Sequence, residues 1–379
     1  VPYVDENTGV KEIPVQYTRK QIFEFAESEL LAIENELKVP GSNEYGRVDR
    51  VAGWFLLARM YLNAQTWINE NKYQEAYIYA TKVIADGHYP LASDYREIFL
   101  ADNNTCKEII WPLVQDGLRA QSSAGTNFYV KAFVNGPMDE LYKTGVGSRG
   151  WGNVRAKVSL VDAFDADDVM FDGNDTWGNN KKDKRAQFMT ALPNQVKDTW
   201  DVNMDMTSTF TCGYGYIKWR NVTKEDELSA SGDAYTSIDF PLFRTADAYL
   251  MAAEAILRGA SGTKSEALGY VNEVRTRAYM SGKYAKNGVR SDVSGEIGAN
   301  ELDLDFLLLE RQKELASELI RRTDLIRFGK YTKGNNWDWK NGVRLGEDVD
   351  DKYNLFPIPE SELTNNPTLV QNDGYKVIK

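Results

Sequence analysis

Residues 310–331, ERQKELASELIRRTDLIRFGKY, carry glutamates, arginines and an aspartate between leucines and isoleucines. Closely spaced carboxylates can serve as a general acid and base, whereas carboxylates that alternate with arginines can form ion pairs. The apolar spacing predicts one helix over about 303–328. The charged residues that would share one face of it, at spacings of 3, 4 and 4, are Arg311, Glu314, Glu318 and Arg322. We interpret this ladder as a half-buried brace of ion pairs; the alternatives are a surface stripe and a catalytic cluster.

A second acidic group is a candidate for hydrolytic chemistry. A glycosidase needs two carboxylates that face each other across a cleft. The aspartates of this group are crowded on one short segment, and they are Asp162, Asp165, Asp167 and Asp168. Such crowding favours a solvated loop or helix end, so we predict no catalytic residues here. A glycoside hydrolase that uses Asp165 or Asp168 is the alternative.

The motifs that would hold a cofactor or a metal are incomplete. GVGSRG (145–150) has the glycine spacing of a dinucleotide-binding loop, but no strand pattern precedes it and no helix pattern follows it. DGNDTWGNN (172–180) offers oxygen ligands for calcium without the glutamate that closes an EF-hand loop. His88 is the only histidine, which excludes a multi-histidine metal site, and its position predicts a turn. The sequence therefore predicts no cofactor and no metal.

The composition limits the possible partners. The chain has 379 residues and a net charge of −11, and it has no lysine- or arginine-rich tract, which argues against nucleic acid. No segment has the roughly 18 consecutive apolar residues of a membrane-spanning helix. The chain starts at Val1 without a methionine, so we read it as a mature, trimmed or partial chain. Cys106 and Cys212 are too few for a disulfide scaffold, and one bridge and two free thiols both stay open.

Helical hairpins are predicted in the N-terminal part. Residues 18–38 read as a helix, with Thr18 and Gln21 at the spacing of a capping box. The next helix begins near 47 and has the W-x2-L-A-x2-Y spacing of a tetratricopeptide repeat between residues 54 and 61. Its partner is KYQEAYIYATKVIADG (72–87), with Gly87 as the C-cap. The connection between the two is longer than a strict repeat allows, which predicts a degenerate hairpin.

Two further helices, 243–260 and 265–279, are predicted before the charged helix, and short strands are predicted at 108–114 and 213–222. We therefore predict a mainly α fold, in which tetratricopeptide-like helical hairpins form an α/α scaffold and a loop-rich irregular region contains a few short strands. Three parts of one compact body are expected: a helical scaffold (1–107), a loop-rich ligand-binding region (108–242), and a helical region with an irregular tail (243–379).

Several segments resemble the starch-utilisation-system D family, the SusD/RagB-like proteins of Bacteroidetes. ERQKELASELIRRTDLIRFGKY resembles the family's E-R-x-x-E-L-x-x-E-x-x-R-x-x-D-L-x-R-x-G signature. RTADAYLMAAEAI and ALGYVNEVRTRA resemble two of its helices, and LFPIPESELTNNPTLVQNDGY resembles its closing segment. VPYV resembles a segment well inside the family's chains, so the resemblance implies that an N-terminal helical part with a lipidated cysteine is missing here. Leu319-Ile320 replaces the usual Glu-Gly, and we expect this departure to be a harmless variation of packing.

The resemblance implies a surface-exposed lipoprotein of the cell outer membrane that is not an enzyme. Its membrane association would depend on a lipid anchor that is absent from this chain. It would capture an oligosaccharide or polysaccharide and deliver it to a partner, a SusC-like TonB-dependent transporter. The alternative is a protein-interaction scaffold that docks the transporter without binding glycan itself.

Aromatic residues of the middle loops are the candidates for sugar contact, because sugars can stack their C–H faces on aromatic rings. Each of these rings is flanked by planar hydrogen-bonding groups. The predicted ligand-binding residues are Trp151, Trp177, Tyr129, Arg149, Asn153 and Asp175. For each loop tryptophan, packing in the core is the alternative. Farther along the chain, Trp337 and Trp339 either form a second exposed platform or pack on the body.

Overall fold

The computed structural model describes residues 1–134, 139–170, 178, 180–191, 195–197, 211–280 and 293–376. The helices are α1 (Arg19–Ile33), α2 (Arg50–Ile68), α3 (Tyr73–Asp86), α4 (Thr126–Ala132), α5 (Asp139–Tyr142), α6 (Val158–Val161), α7 (Ala166–Val169), α8 (Thr245–Leu257), α9 (Lys264–Met280), α10 (Leu304–Leu315), α11 (Arg321–Arg327) and α12 (Glu360–Asn365). The strands are β1 (Ile109–Leu113), β2 (Phe188–Met189), β3 (Gly215–Tyr216) and β4 (Phe240–Arg244). This mainly helical architecture confirms the predicted fold class.

The long helices form one continuous stack. α1 packs on α2, α2 on α3, α3 on α8, and α8 on α9. Close approach is possible because small residues occupy the contact faces: Ala76 and Ala80 of α3 and Ala248 and Ala252 of α8 are fully buried. The N-terminal and C-terminal hairpins therefore share a hydrophobic core, and the intervening residues are held against its side.

The two helix caps predicted from the sequence are present in the structure. Thr18 and Gln21 form the expected capping box at the start of α1. Gly87 has a φ of 73° and ends α3 as the expected C-cap. α1 ends at Ile33 rather than near residue 38, which leaves a turn before Pro40.

Two antiparallel strand pairs lie beside the helical stack. β1 pairs with β4, and β2 pairs with β3. The segment 213–222, expected to alternate as one strand, forms only the short β3 and is buried on both faces: Lys218 and Trp219 are 3% and 1% exposed. β4 runs directly into α8, and this junction carries the side chain of Arg244 into the core.

The prediction of a single helix over 303–328 is wrong. The structure has two helices, α10 and α11, separated by a turn in which Ser317 and Leu319 have φ values of 62° and 63°. The ladder is therefore interrupted after Glu314. Arg322 leaves the cluster: its guanidinium donates to the backbone carbonyl of Asn354 at 3.1 Å and lies 4.2 Å from the centre of the Phe356 ring.

The buried brace itself is present, with partners that the sequence reading did not name. Glu314 is fully buried and accepts hydrogen bonds from Arg244 at 2.6 Å, from Arg185 at 3.1 Å, and from Arg277. Glu318 is 5% exposed and pairs with Arg244 at 2.6 Å. The other carboxylates that these arginines contact are Glu108, Asp183 and Glu310. Guanidinium groups from β4, α9 and residue 185 therefore converge on α10.

A second buried cluster joins α10 and α11 to α8. Arg311 donates to Asp324 and to Asp247, each at 2.8 Å. Arg327 donates to Glu254 at 2.6 Å and to Asp324 at 2.7 Å. All five side chains are at most 3% exposed. The charged signature of this chain is therefore a structural brace, as interpreted, and is arranged across several elements instead of along one helix.

Leu319, one of the two residues that depart from the family signature, has a left-handed backbone conformation. Leu319 is 76% exposed and packs little, whereas Ile320 packs against the core cluster that contains Leu307 and Leu315. The φ of 63° at Leu319 is a left-handed conformation that costs an L-residue about 1–2 kcal/mol.

We expect Leu319→Gly to raise the free energy of unfolding by roughly 0.5–1 kcal/mol, since the greater chain entropy of glycine in the unfolded state offsets part of the relief. Urea unfolding measures the change. Leu309→Gly is the matched control, because Leu309 is 38% exposed within α10, and it should destabilise the protein. A lower unfolding free energy for Leu319→Gly would contradict the expectation.

Candidate functional site

Two exposed aromatic rings stand side by side on the loop-rich region. Phe128, on α4, is 41% exposed, and Trp151 is 40% exposed. Their ring centres are 6.2 Å apart and their planes are inclined by 59°. The two rings are therefore close to each other and partly open to solvent.

The backbone around Trp151 is fixed to α4 by hydrogen bonds. The Trp151 amide donates to the Lys131 carbonyl at 2.8 Å, and the Asn153 amide donates to the Ala132 carbonyl at 3.0 Å. Gly152, between them, is buried and has a φ of 59°, a conformation that glycine adopts without strain. The local sequence Trp-Gly-Asn thus turns the chain sharply and directs two polar or aromatic side chains outward.

Arg149, two residues before Trp151, forms an exposed ion pair. The Arg149 guanidinium lies 3.0 Å from a carboxylate oxygen of Asp233, and both side chains are substantially exposed, at 56% and 40%. Asn153 is also exposed. Below them Lys131 is buried, with its ammonium group donating to the Ala234 carbonyl. Burial, and then repulsion from Arg149, lowers the pKa of Lys131. We call Phe128, Trp151, Arg149, Asn153 and Asp233 the aromatic platform.

A buried asparagine brings the two distant segments of the platform together. The Asn221 side-chain amide donates to the Gly145 carbonyl at 3.1 Å and to the Gly232 carbonyl at 2.8 Å. A Cβ atom at Gly145 would lie 2.6 Å from the Asn221 carbonyl oxygen, so only glycine allows this approach. Asp139 further holds the loop by accepting from the Gly147 amide at 3.1 Å. The platform therefore rests on a positioned base.

Tyr129 occupies a different environment from the other candidates. Its ring stacks on Trp219, with centres 5.4 Å apart and planes inclined by 27°, and it meets Phe128 edge-on at 5.9 Å. Burial raises the pKa of Tyr129. The ring is half-buried and supports Phe128 from the core side. A direct contact of Tyr129 with a ligand stays a prediction.

The structure thus brings Trp151, Arg149 and Asn153 together, with Tyr129 adjacent to them. Trp177 and Asp175, and most of the possible calcium loop 172–180, lie outside the described residues. Sequence reasoning missed Phe128 and Asp233. Phe128 precedes the named Tyr129 and points outward because neighbouring positions on a helix face different sides. Asp233 had no signal in the sequence, since it is brought to Arg149 by the Asn221 bridge.

The remaining reactive candidates are the clustered aspartates and the two cysteines. Asp168 is 3% exposed and accepts from the backbone amides of Lys182 at 2.7 Å and Asp183 at 3.0 Å. The Asp162 carboxylate pairs on the surface with Lys197 at 2.5 Å. These two aspartates contact different partners, and Asp165 and Asp167 are exposed on the same short segment. Cys106 and Cys212 are both buried free thiols, not a bridge.

Within the described part of the chain, no cluster of histidine, cysteine, aspartate or glutamate is arranged to hold a metal ion. Among the same residues, no helix combines the length and apolar character needed to cross a bilayer.

The amino-acid sequence of the chain is similar to those of known proteins. Residues 107–375 match the model of the SusD family. The starch-binding protein SusD of Bacteroides thetaiotaomicron is 32% identical over 96% of this chain and 67% of its own length. The SusD-like protein P25 of Formosa agariphila is 25% identical, and the match covers 87% of this chain and 59% of that protein. The chain thus spans about two thirds or less of these relatives.

Solved structures show the same fold. A SusD superfamily protein from Bacteroides vulgatus superposes with a TM-score of 0.69 at 20% identity, covering 99% of this chain and 70% of that one. Surface glycan-binding protein A from Bacteroides thetaiotaomicron, solved in complex with laminarihexaose, gives a TM-score of 0.65 at 22% identity, covering 98% and 73% of the two chains. At these identities the likeness establishes the shared architecture.

Proposed function

The chain belongs to the SusD family, and from this premise we propose that it is a non-enzymatic glycan-binding protein of the cell surface whose aromatic platform contacts the sugar. The observation that carries the proposal is the pair of exposed rings, Phe128 and Trp151, on a base fixed by hydrogen bonds. Support comes from the names of two similar proteins, one starch-binding and one bound to laminarihexaose.

The platform has the chemistry that a neutral sugar requires. Aromatic faces cover the C–H side of a pyranose ring, and planar amide, guanidinium and carboxylate groups hydrogen-bond its hydroxyls. The Arg149–Asp233 pair supplies both a donor and an acceptor at the edge of the rings. A preformed arrangement of this kind loses little conformational entropy on binding.

The finer part of the proposal concerns the whole protein. We propose that it is an outer-membrane lipoprotein that delivers the bound oligosaccharide to a SusC-like TonB-dependent transporter. Co-purification of the full-length protein with its transporter, from membranes solubilised in detergent, tests this step. Recovery of the protein without any transporter would count against delivery.

A Trp151→Ala variant is expected to bind glycan with about tenfold or more lower affinity, because the indole face is the larger apolar contact of the platform. Affinity gel electrophoresis in starch and in laminarin measures the retardation, and tryptophan fluorescence titration gives the affinity. Phe128→Ala should weaken binding in the same gels. Stability should change little, since both rings are exposed.

Trp67→Ala is the matched control, because Trp67 is 36% exposed on α2, outside the platform, and its loss should leave retardation unchanged. Retardation of Trp151→Ala equal to that of the unchanged protein would move the site away from the platform. Absence of retardation by every glycan tested, together with retained transporter binding, would favour the interaction-scaffold alternative.

A further inference from the structure

A separate cavity of about 310 Å³ lies between the end of α10, α6 with the residues that precede it, and the loop that carries Trp337. Most of its lining is apolar, and the apolar residues include Phe133, Leu160, Tyr216, Leu315, Leu325 and Trp337. An apolar cavity of about 150 Å³ holds benzene. The larger volume here accommodates a two-ring molecule. Trp337 lines this cavity and is not part of the aromatic platform.

The cavity walls are tied together by polar side chains. The Gln312 amide donates to the Ser159 carbonyl at 3.1 Å, which joins α10 to α6. The Lys157 ammonium group donates to the Asp338 carbonyl at 3.1 Å, which joins the α6 side to the Trp337 loop. The Lys157 side chain is 48% exposed, so it stands where the cavity meets solvent. These two links hold the cavity open between elements that come from distant parts of the sequence.

Arg321 gives the cavity a positive charge. Its guanidinium donates to the Leu308 carbonyl at 2.9 Å and to the Gln312 amide oxygen at 2.7 Å, and both of these acceptors are uncharged. Burial lowers the pKa of Arg321 to about 10. Other buried arginines of this protein contact carboxylates directly, as Arg311 and Arg327 do. Arg321, which lines the cavity, therefore differs from them in that its guanidinium contacts uncharged acceptors.

The carboxylate nearest in sequence does not neutralise Arg321 by contact. The oxygens of Asp324 accept from Arg311 at 2.8 and 3.0 Å and from Arg327 at 2.7 Å. Arg155, which also lines the cavity, has its pKa lowered to about 10 by burial. Arg155 donates to the carbonyl oxygens of Gly152 at 2.6 Å and Cys212 at 3.2 Å. Arg321 thus lines this apolar space with two uncharged acceptors, and Asp324, which also lines the space, acts on it at longer range.

We propose that this cavity binds a small aromatic carboxylate, with its ring system against Trp337, Phe133 and Leu160 and its carboxylate on Arg321. A guanidinium group forms charge-assisted, two-pronged hydrogen bonds with a carboxylate, and such bonds are stronger in a dry environment than in water. A neutral sugar would place its polar hydroxyl groups against much of the apolar wall. A free phosphate would leave the ring space empty. The ligand class therefore follows from the combination of apolar volume and the Arg321 guanidinium.

The test uses 2-naphthoate as the probe and isothermal titration calorimetry as the measurement. The neutral analogue 2-naphthylmethanol has the same rings without the charge and should bind about tenfold or more weakly. Arg321→Gln should weaken naphthoate binding by a similar factor, whereas Arg321→Lys should restore only part of it, because lysine returns the charge without the two-pronged hydrogen bonds. Trp337→Ala should weaken both probes. Arg155 is left unchanged, since its hydrogen bonds hold the platform segment.

Arg119→Gln is the matched control, because the Arg119 side chain is 90% exposed and it should bind naphthoate as the unchanged protein does. Equal affinity for the charged and neutral probes, or undiminished binding by Arg321→Gln, would overturn the proposal. Absence of naphthoate binding up to about 5 mM would also overturn it. Trp151→Ala should retain naphthoate binding, so failure of the glycan platform and failure of this cavity are separate results.

Discussion

Replacing Glu314 with glutamine is expected to lower the free energy of unfolding by about 3–5 kcal/mol. Glu314 is fully buried between Arg244, Arg277 and Arg185. Glutamine has nearly the same shape but carries no charge, so the three guanidinium groups would stay buried with too little negative charge. The cost arises from this uncompensated charge and not from a cavity. A loss of this size is a large fraction of the 5–15 kcal/mol by which a typical domain is stable.

Urea unfolding followed by circular dichroism measures the effect. The matched control is Glu24→Gln, because Glu24 pairs with Lys20 at 3.7 Å on the surface and both side chains are more than half exposed. Such a pair contributes about 0.2–0.5 kcal/mol. If Glu314→Gln changed stability no more than Glu24→Gln does, the buried brace would have no special energetic role. If Glu314→Gln fails to fold, Glu318→Gln, at the edge of the same cluster, gives the milder test.

The brace also shows how far the sequence could predict the structure. The alternation of charges with leucines correctly predicted burial, because an apolar arc beside paired charges has few other uses. It did not predict the break at Ser317 and Leu319, since their side chains give no sign of a left-handed backbone. Nor could it predict Arg244 as the central partner. That pairing depends on β4 ending beside α10, which is a property of the tertiary fold.

The aromatic platform also has some residues that the sequence could predict and some that it could not. Trp151, Arg149 and Asn153 were predictable because they lie on one short glycine-rich segment, and local sequence brings them together. Asp233 was not, because its approach to Arg149 requires the hydrogen bonds of buried Asn221 to two loops. The half-buried position of Tyr129 depends on its stacking against Trp219, which comes from the distant segment 213–222. Long-range packing therefore decided which aromatic rings face solvent.

Acid is expected to remove a large part of the stability between about pH 4.5 and pH 2. Burial alone would raise the pKa of Glu314, but the charges of Arg277, Arg244 and Arg185 outweigh it and lower the pKa from 4.5 to about 2. In the same way, burial raises and the charge of Arg327 lowers the pKa of Glu254, with a net decrease from 4.5 to about 2. Both carboxylates therefore bind protons more weakly in the folded protein than in the unfolded chain.

The direction of the pH effect follows from this difference. Above about pH 4.5 both carboxylates are ionised in the folded and unfolded states, and the stabilisation is fully present. As the pH falls toward 2, the unfolded chain takes up protons first, so each group withdraws roughly 3 kcal/mol of stability. Glu314 and Glu254 belong to different clusters and contact different arginines, so they influence each other only through longer-range charge effects. Their contributions should therefore be nearly additive.

Urea unfolding at pH 6, 4, 3 and 2.5 measures this dependence. The midpoint should fall steeply below pH 4.5, and Glu314→Gln should show a shallower fall, because one of the two groups no longer titrates. Glu24→Gln should keep the full dependence, since it leaves the buried clusters unchanged. Equal unfolding free energies at pH 6 and pH 3 would mean that the buried arginines do not hold these carboxylates ionised. A steep fall that Glu314→Gln does not reduce would assign the acid sensitivity to other carboxylates.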